Sequence, residues 1–133
     1  MATRDLRVIR ETILKAMANW SALDADANSA YYTASDRAVF FDFTPMQYIG
    51  WKTYRDEIKK VQGNIRRFKI TLNKDFQVHQ AGKFAYATAT WRMVFHFHNG
   101  TVKRLRGRLT EVLAQQHGRW KIVHEHASVP ATS

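Results

Sequence analysis

Gly118-Arg-Trp-Lys-Ile-Val-His-Glu-His-Ala-Ser128, close to the end of the 133-residue chain, decides the fold. Polar and apolar residues alternate along it, a Gln116-His117-Gly118 turn precedes it and Pro130 follows, so it reads as a closing β-strand. Successive strand side chains point to opposite faces, which puts His124 and His126 on one face and Glu125 on the other. Working back, residues 66–78, 84–97 and 102–115 are long strand-like runs, and Ala81-Gly82, Asn99-Gly100 and His117-Gly118 are the hairpin signals that separate the runs.

The first half has a different period. Leu6, Ile9, Ile13, Met17 and Trp20 recur at spacings of three and four, which predicts an amphipathic helix over about 5–23. Asp24-Ala-Asp-Ala-Asn-Ser breaks it and offers caps for a short second helix ending near Tyr31-Tyr32. Residues 37–43 read as a strand stopped by Thr44-Pro45, and 46–50 as a second extended piece. The stripe Trp51, Tyr54, Ile58, Val61 predicts a third helix over 50–61, ending at Gly63. Helices followed by a meander predict one α+β domain over residues 1–133, with a curved antiparallel sheet carrying helices on one face.

Hydrophobic residues make up 45% and charged residues 24%, a globular balance. No apolar run approaches the ~20 residues that span a bilayer, and the charged start lacks the apolar core of a signal peptide, so no membrane partner and a cytoplasmic location are expected. Without cysteine, disulfides, thiol nucleophiles and thiolate metal sites drop out. The charge of +10, from 21 basic against 11 acidic residues, favours anionic partners but bears on association rather than fold. Nucleic acid is the less favoured partner, because the aromatic residues fall mainly on the face opposite the arginines.

Turn type decides which residues meet. A three-residue turn with Gly100 in the left-handed position puts Trp91, Met93 and Phe95 on one apolar face with Leu105, Gly107, Leu109, Glu111 and Leu113. Arg104, Arg106, Arg108 and Thr110 then take the opposite face. Glu111 is the exception on the apolar face: it either lines a wet pocket or sits in a structural ion pair or strand bend. At Gln116-His117-Gly118 the same turn makes Val123, Glu125 and Ala127 neighbours of Glu111. A two-residue turn instead sets His124 opposite Glu111 as an acid–base pair.

Three stretches carry a family resemblance. Trp120-Lys-Ile-Val-His-Glu-His-Ala-Ser128 resembles the closing strand of the SnoaL-like (ketosteroid isomerase-like) branch of the nuclear transport factor 2-like superfamily, and in particular the association domain of calcium/calmodulin-dependent kinase. Asn19-Trp-Ser-Ala-Leu-Asp24 is similar to the end of that family's first helix, and residues 36–50 to its first strand and the following loop. The resemblance implies a cone-shaped α+β fold, its sheet wrapped around three N-terminal helices, with an internal pocket and a homodimer formed by the outer sheet face. The kinase association domain lines its pocket with arginines where this chain has Glu111 and Ala127. The isomerases pair a tyrosine with acids; here Asp36 and Asp42 lie near the expected base position, but helix one has no matching tyrosine.

The candidate chemistry follows. Glu111, Asp42 and, in the second register, His124 are candidate catalytic groups; Glu125 could join them. Trp20, Tyr32, Trp51, Tyr54, Trp91, Glu111 and Glu125 are candidate ligand-binding residues, with core packing the alternative for the aromatics. Arg106, Arg108, Thr110, His124 and His126 are candidate interface residues. The pairs His96/His98 and His124/His126 have chelating spacing, but strand pairing sets them roughly 17 Å apart at ~3.3 Å per residue, so no metal and no cofactor are expected. Two functions fit: a small-molecule-binding protein with acid–base activity of isomerase, cyclase or hydrolase type on a hydrophobic or aromatic ligand, or a non-catalytic oligomerisation module.

Overall fold

A computed structural model describes residues 2–131, with side chains from residue 4 onward. The elements run α1 (Ala2–Ser21), a single 3-10 turn (Asp26–Ala30), β1 (Val39–Phe41), β2 (Tyr48–Ile49), α2 (Trp51–Gln62), β3 (Ile65–Leu72), β4 (Gln77–Ala81), β5 (Phe84–Phe97), β6 (Val102–Gln116) and β7 (Arg119–Ser128). The sheet order is β2-β1-β7-β6-β5-β3, with β4 also paired to β5. This is the α+β layout expected, a curved, unclosed sheet of seven strands with the helices at the N-terminus. One pairing is not antiparallel: β1 runs parallel to β7, Phe40 opposite Glu125.

α1 packs against β3, β4 and β7 and buries Ile9, Ile13, Met17 and Trp20, its predicted stripe apart from the exposed Leu6, together with Ala16. Asn28, fully buried in the 3-10 turn, ties that turn to α1: its amide donates to the Ala16 carbonyl and accepts from Asn19. No helix among the described residues is long and apolar enough to cross a membrane.

Two expectations change. Residues 66–78 are not one strand. Asn73–Phe76 loop out between β3 and β4, which pair in succession with the same β5. Asp75 fastens the excursion, accepting from the Thr90 backbone N–H at 2.9 Å and the Thr90 hydroxyl at 2.7 Å. The β6–β7 turn is also not the three-residue form. His117 (φ 52°) and Gly118 (φ 77°) make a two-residue turn with both residues left-handed, and Gln116 pairs with Arg119. That turn alone would set His124 opposite Glu111. A bulge cancels it: Leu113 pairs with Ile122 and Val112 with His124, leaving Val123 unpaired. Glu125 therefore faces Glu111, and Ile122 rather than Val123 is the buried residue.

The β5–β6 turn has the expected three-residue form. Trp91 lies opposite Gly107 and Ala87 opposite Glu111, with Gly100 at φ 88°. Gly107 has a packing role: a Cβ there would come within 2.3 Å of both the Ser128 carbonyl oxygen and the Trp91 ring. The indole of Trp91 occupies the space that a side chain at position 107 would need.

Candidate functional site

An apolar cavity of about 120 Å³ opens between α1, α2 and the concave face of the sheet. Met17, Ile58, Phe68, Met93, Phe95 and Leu109 form much of its wall, and Leu23, Phe43, Val61 and Gln62 stand partly exposed among its lining. Its polar end is acidic: Asp42 and Glu125, with the Tyr54 hydroxyl between them. No Lys, Arg or His is among its lining residues.

Glu125 is 3% exposed and is held by two phenols. Tyr32 donates to its Oε1, and Tyr54 donates to its Oε2 at 2.5 Å. Trp20 Nε1 in turn donates to the Tyr32 hydroxyl at 3.0 Å. The phenols are fixed by stacking. Tyr32 lies on Trp51 with ring centroids 4.5 Å apart, and Tyr54 on Phe40 at 4.7 Å. Burial first, then the charge of Glu125, raises both tyrosines well above the usual phenol range, so they remain donors.

Glu111 is fully buried behind Glu125, and no N–H or O–H donor reaches either of its oxygens. The group within hydrogen-bonding reach is Glu125, itself an acceptor, so the proton between them belongs to Glu111. Burial, and then repulsion from Glu125, pushes the Glu111 carboxyl well above the ordinary range, in agreement with a protonated acid donating to its neighbour. Asp42 is half-buried at the end of β1. Its Oδ1 accepts from the Phe43 N–H at 2.9 Å. Desolvation, followed by the Glu125 charge, raises its pKa to about 7, against the smaller opposing pulls of the Phe43 N–H and the Tyr54 hydroxyl.

The residues singled out in the sequence therefore divide. Trp20, Asp42, Tyr54 and Glu125 line the cavity. Tyr32, Trp51 and Glu111 sit one layer behind it, and Trp91 is fully buried with Phe43 packed 5.7 Å from its ring. Asp36 is exposed and is not among the cavity's lining residues. His124 lies on the convex side, its Nδ1 2.5 Å from the Val39 carbonyl, so that nitrogen carries the proton. Arg106, Arg108 and His126 are exposed on that side and Thr110 is half-buried. Among the described residues, no group of three His, Cys, Asp or Glu could hold a metal ion. Sequence reasoning missed Phe43, Phe68 and Phe95 as cavity lining. Alternation along β5 marked Phe95 as inward-facing, but nothing marked Phe43 or Phe68, or the gap between the sheet and α2.

A curved sheet closed over helices, with an acid-bearing cavity in the concavity, defines the cone-shaped α+β pocket proteins. The chain belongs to the SnoaL-like domain family, which it matches over residues 9–132. Among solved structures it is similar to a nuclear transport factor 2-like superfamily protein of Salmonella enterica serovar Typhimurium: 21% identity, 100% of this chain and 96% of that one covered, TM-score 0.91. It is also similar to a nuclear transport factor 2-like protein of unknown function from Pseudomonas putida (26%, 99% and 91%, TM-score 0.84). A candidate scytalone dehydratase of Novosphingobium aromaticivorans has the same fold (10%, 99% and 88%, TM-score 0.85). No curated protein matches the sequence.

Proposed function

We propose that the cavity is an acid–base site for a small, largely apolar ligand, with Asp42 as the group that transfers the proton. One observation carries this reading: a carboxyl with a pKa of about 7 stands at the polar end of an apolar cavity. Near neutrality such a group is divided between acid and base, so it can take a proton from a ligand and return it elsewhere at little energetic cost. Tyr54 touches the same region and keeps its own proton, which it donates to Glu125, so it fixes that carboxylate beside Asp42 rather than donating to the ligand. Glu125 sets the local potential, and Glu111 holds the compensating proton behind it. The chemistry suits isomerisation, dehydration or hydrolysis, and the dehydratase-named relative is compatible with it.

The test is a screen of small ring compounds bearing carbonyl, hydroxyl or amine groups, read by protein-dependent deuterium uptake from solvent or loss of water. An active compound should lose at least a hundredfold in rate with Asp42→Asn while still binding. Full activity of that variant would remove Asp42 from the role.

A second reading concerns the convex face. Tyr86 and Phe84 are 49% and 63% exposed on β5, and Arg106, Arg108, Thr110 and His126 are on the neighbouring strands. We infer that this face supports a homodimer. A purely monomeric sedimentation profile at micromolar concentration would overturn that.

A further inference from the structure

The cavity's hydrogen-bonding capacity is unbalanced. The Trp20 indole N–H is spent on Tyr32, and the Tyr32 and Tyr54 hydroxyls are spent on Glu125. The Phe43 N–H is spent on Asp42. What remains open towards the cavity is acceptor capacity on two carboxyls, apart from the Gln62 side-chain amide among the lining residues. No cation offsets these acids. The charged and titratable groups acting on Asp42 are Glu125 from β7 and Tyr54 from α2, and Tyr48 from β2 feels Asp42 in turn. Glu125 is faced by Tyr32, Tyr54, Asp42 and the protonated Glu111. A protein carrying a formal charge of +10 has thus gathered acids, and no base, at the end of its apolar cavity.

We propose that the cavity binds a small protonated amine, with its ammonium group seated between Asp42 and Glu125 and an aromatic or branched apolar body against Trp20, Phe43 and Phe68. This inference rests on the cavity being a ligand site and specifies the ligand's charge. An ammonium group brings the donors that the cavity lacks and relieves the repulsion between the two carboxyls. The volume fits: an apolar cavity of roughly 150 Å³ holds a benzene, and this one, of about 120 Å³, also opens to solvent. A carboxylate ligand would meet only like charge.

The experiment is calorimetric titration of the full chain at pH 8 with matched probes: benzylamine, benzyl alcohol and benzoate, and the corresponding cyclohexylmethyl set. The amines should bind about ten- to a hundredfold more tightly than the alcohols, the range expected for a charge-assisted hydrogen bond. The carboxylates should not bind measurably. Asp42→Asn should weaken the amines at least tenfold and leave the alcohols within threefold. Amine affinity should rise between pH 5.5 and pH 8 in the wild type, as Asp42 releases its proton, and stay flat in Asp42→Asn. Alcohols or carboxylates binding as tightly as amines would overturn the cation preference and leave the ligand-site reading standing. Amine binding undiminished in both Asp42→Asn and Glu125→Gln would place the amine elsewhere and also overturn it. Failure of all six probes to bind at millimolar concentration would overturn both readings.

Discussion

Replacing Asp42 by Asn should stabilise the protein above neutrality and do progressively less in acid. The Asp42 pKa is about 7 in the folded protein, against 3.8 for an unhindered carboxyl, with burial the largest cause and the Glu125 charge the next. The direction of the pH effect follows from proton counts. Between pH 3.8 and about 7 the folded state keeps a proton that the unfolded state has released. Stability therefore falls as pH rises through that window and stays reduced above it. At about 1.4 kcal/mol per tenfold change in proton affinity, the whole penalty approaches roughly 4 kcal/mol, and roughly 2–3 kcal/mol of it develops between pH 5 and pH 8. Water reaching a half-buried carboxyl screens part of this, so a gain of about 1–2 kcal/mol is the working expectation. Asn keeps the oxygen that accepts the Phe43 N–H and presents an amide to the acidic cluster, so the variant should fold. The assay is urea unfolding of both proteins at pH 5 and pH 8. A stability difference between Asn and Asp that is the same at both pH values, or an Asn variant less stable than wild type at pH 8, would refute a raised Asp42 pKa.

Three further outcomes are expected. Gly107→Ala should destabilise by about 1–3 kcal/mol or more in thermal unfolding, since its Cβ would stand 2.3 Å from the Ser128 carbonyl oxygen, a backbone atom that cannot swing away. Tyr54→Phe removes one of the two phenol donors to Glu125 and should cost about 1.5–3 kcal/mol at pH 7, the range for a hydrogen bond to a charged group; chemical denaturation measures it. Glu111→Gln keeps a donor towards Glu125, so its stability at pH 5 should stay within about 1 kcal/mol of wild type. The wild type should then lose stability as pH rises above 4.5 towards the raised Glu111 pKa, whereas the Gln variant should lose less. Parallel pH profiles of the two proteins would contradict a protonated Glu111.

Much of the fold was legible because periodicity and turn chemistry agree. The α1 stripe, the Gly100 turn and the alternation along β5 and β6 each fix a face, and together they place Glu111 inward before any coordinate is known. The Asn73–Phe76 excursion was not legible, because Lys74-Asp75 differs little from the polar residues that alternate through any half-exposed strand. Of the site, the acids and aromatic residues were visible as types, but their partners were not. Tyr32 and Glu125 are 93 residues apart, and the stacking of Tyr32 on Trp51, its hydrogen bond from Trp20 and its bridge position beside Ile122 bring the hydroxyl to the carboxylate. The cavity itself is a gap between elements, and no local pattern encodes a gap.

Glu125 faces inward although the protein lacks the three-residue turn that predicts that direction. With the two-residue His117-Gly118 turn, an unbulged β7 would present His124 and His126 to the concave side and send Glu125 and Ala127 outward. Val123, skipped by the ladder, reverses this. The surroundings favour the reversal. Two buried phenol O–H groups converge on one point between β7, α2 and the segment before β1, and a carboxylate accepts both through its two oxygens. A neutral imidazole has one acceptor nitrogen, so at least one phenol would lose its partner, at roughly 1–3 kcal/mol for an unsatisfied buried group. An imidazole at position 124 facing inward would also stand against Glu111, whose proton it could take, leaving two charges in the core in place of one. The bulge thus decides the chemistry of the cavity: one unpaired valine replaces a histidine–glutamate pair with a proton-sharing pair of glutamates, and so gives the cavity its excess of acid.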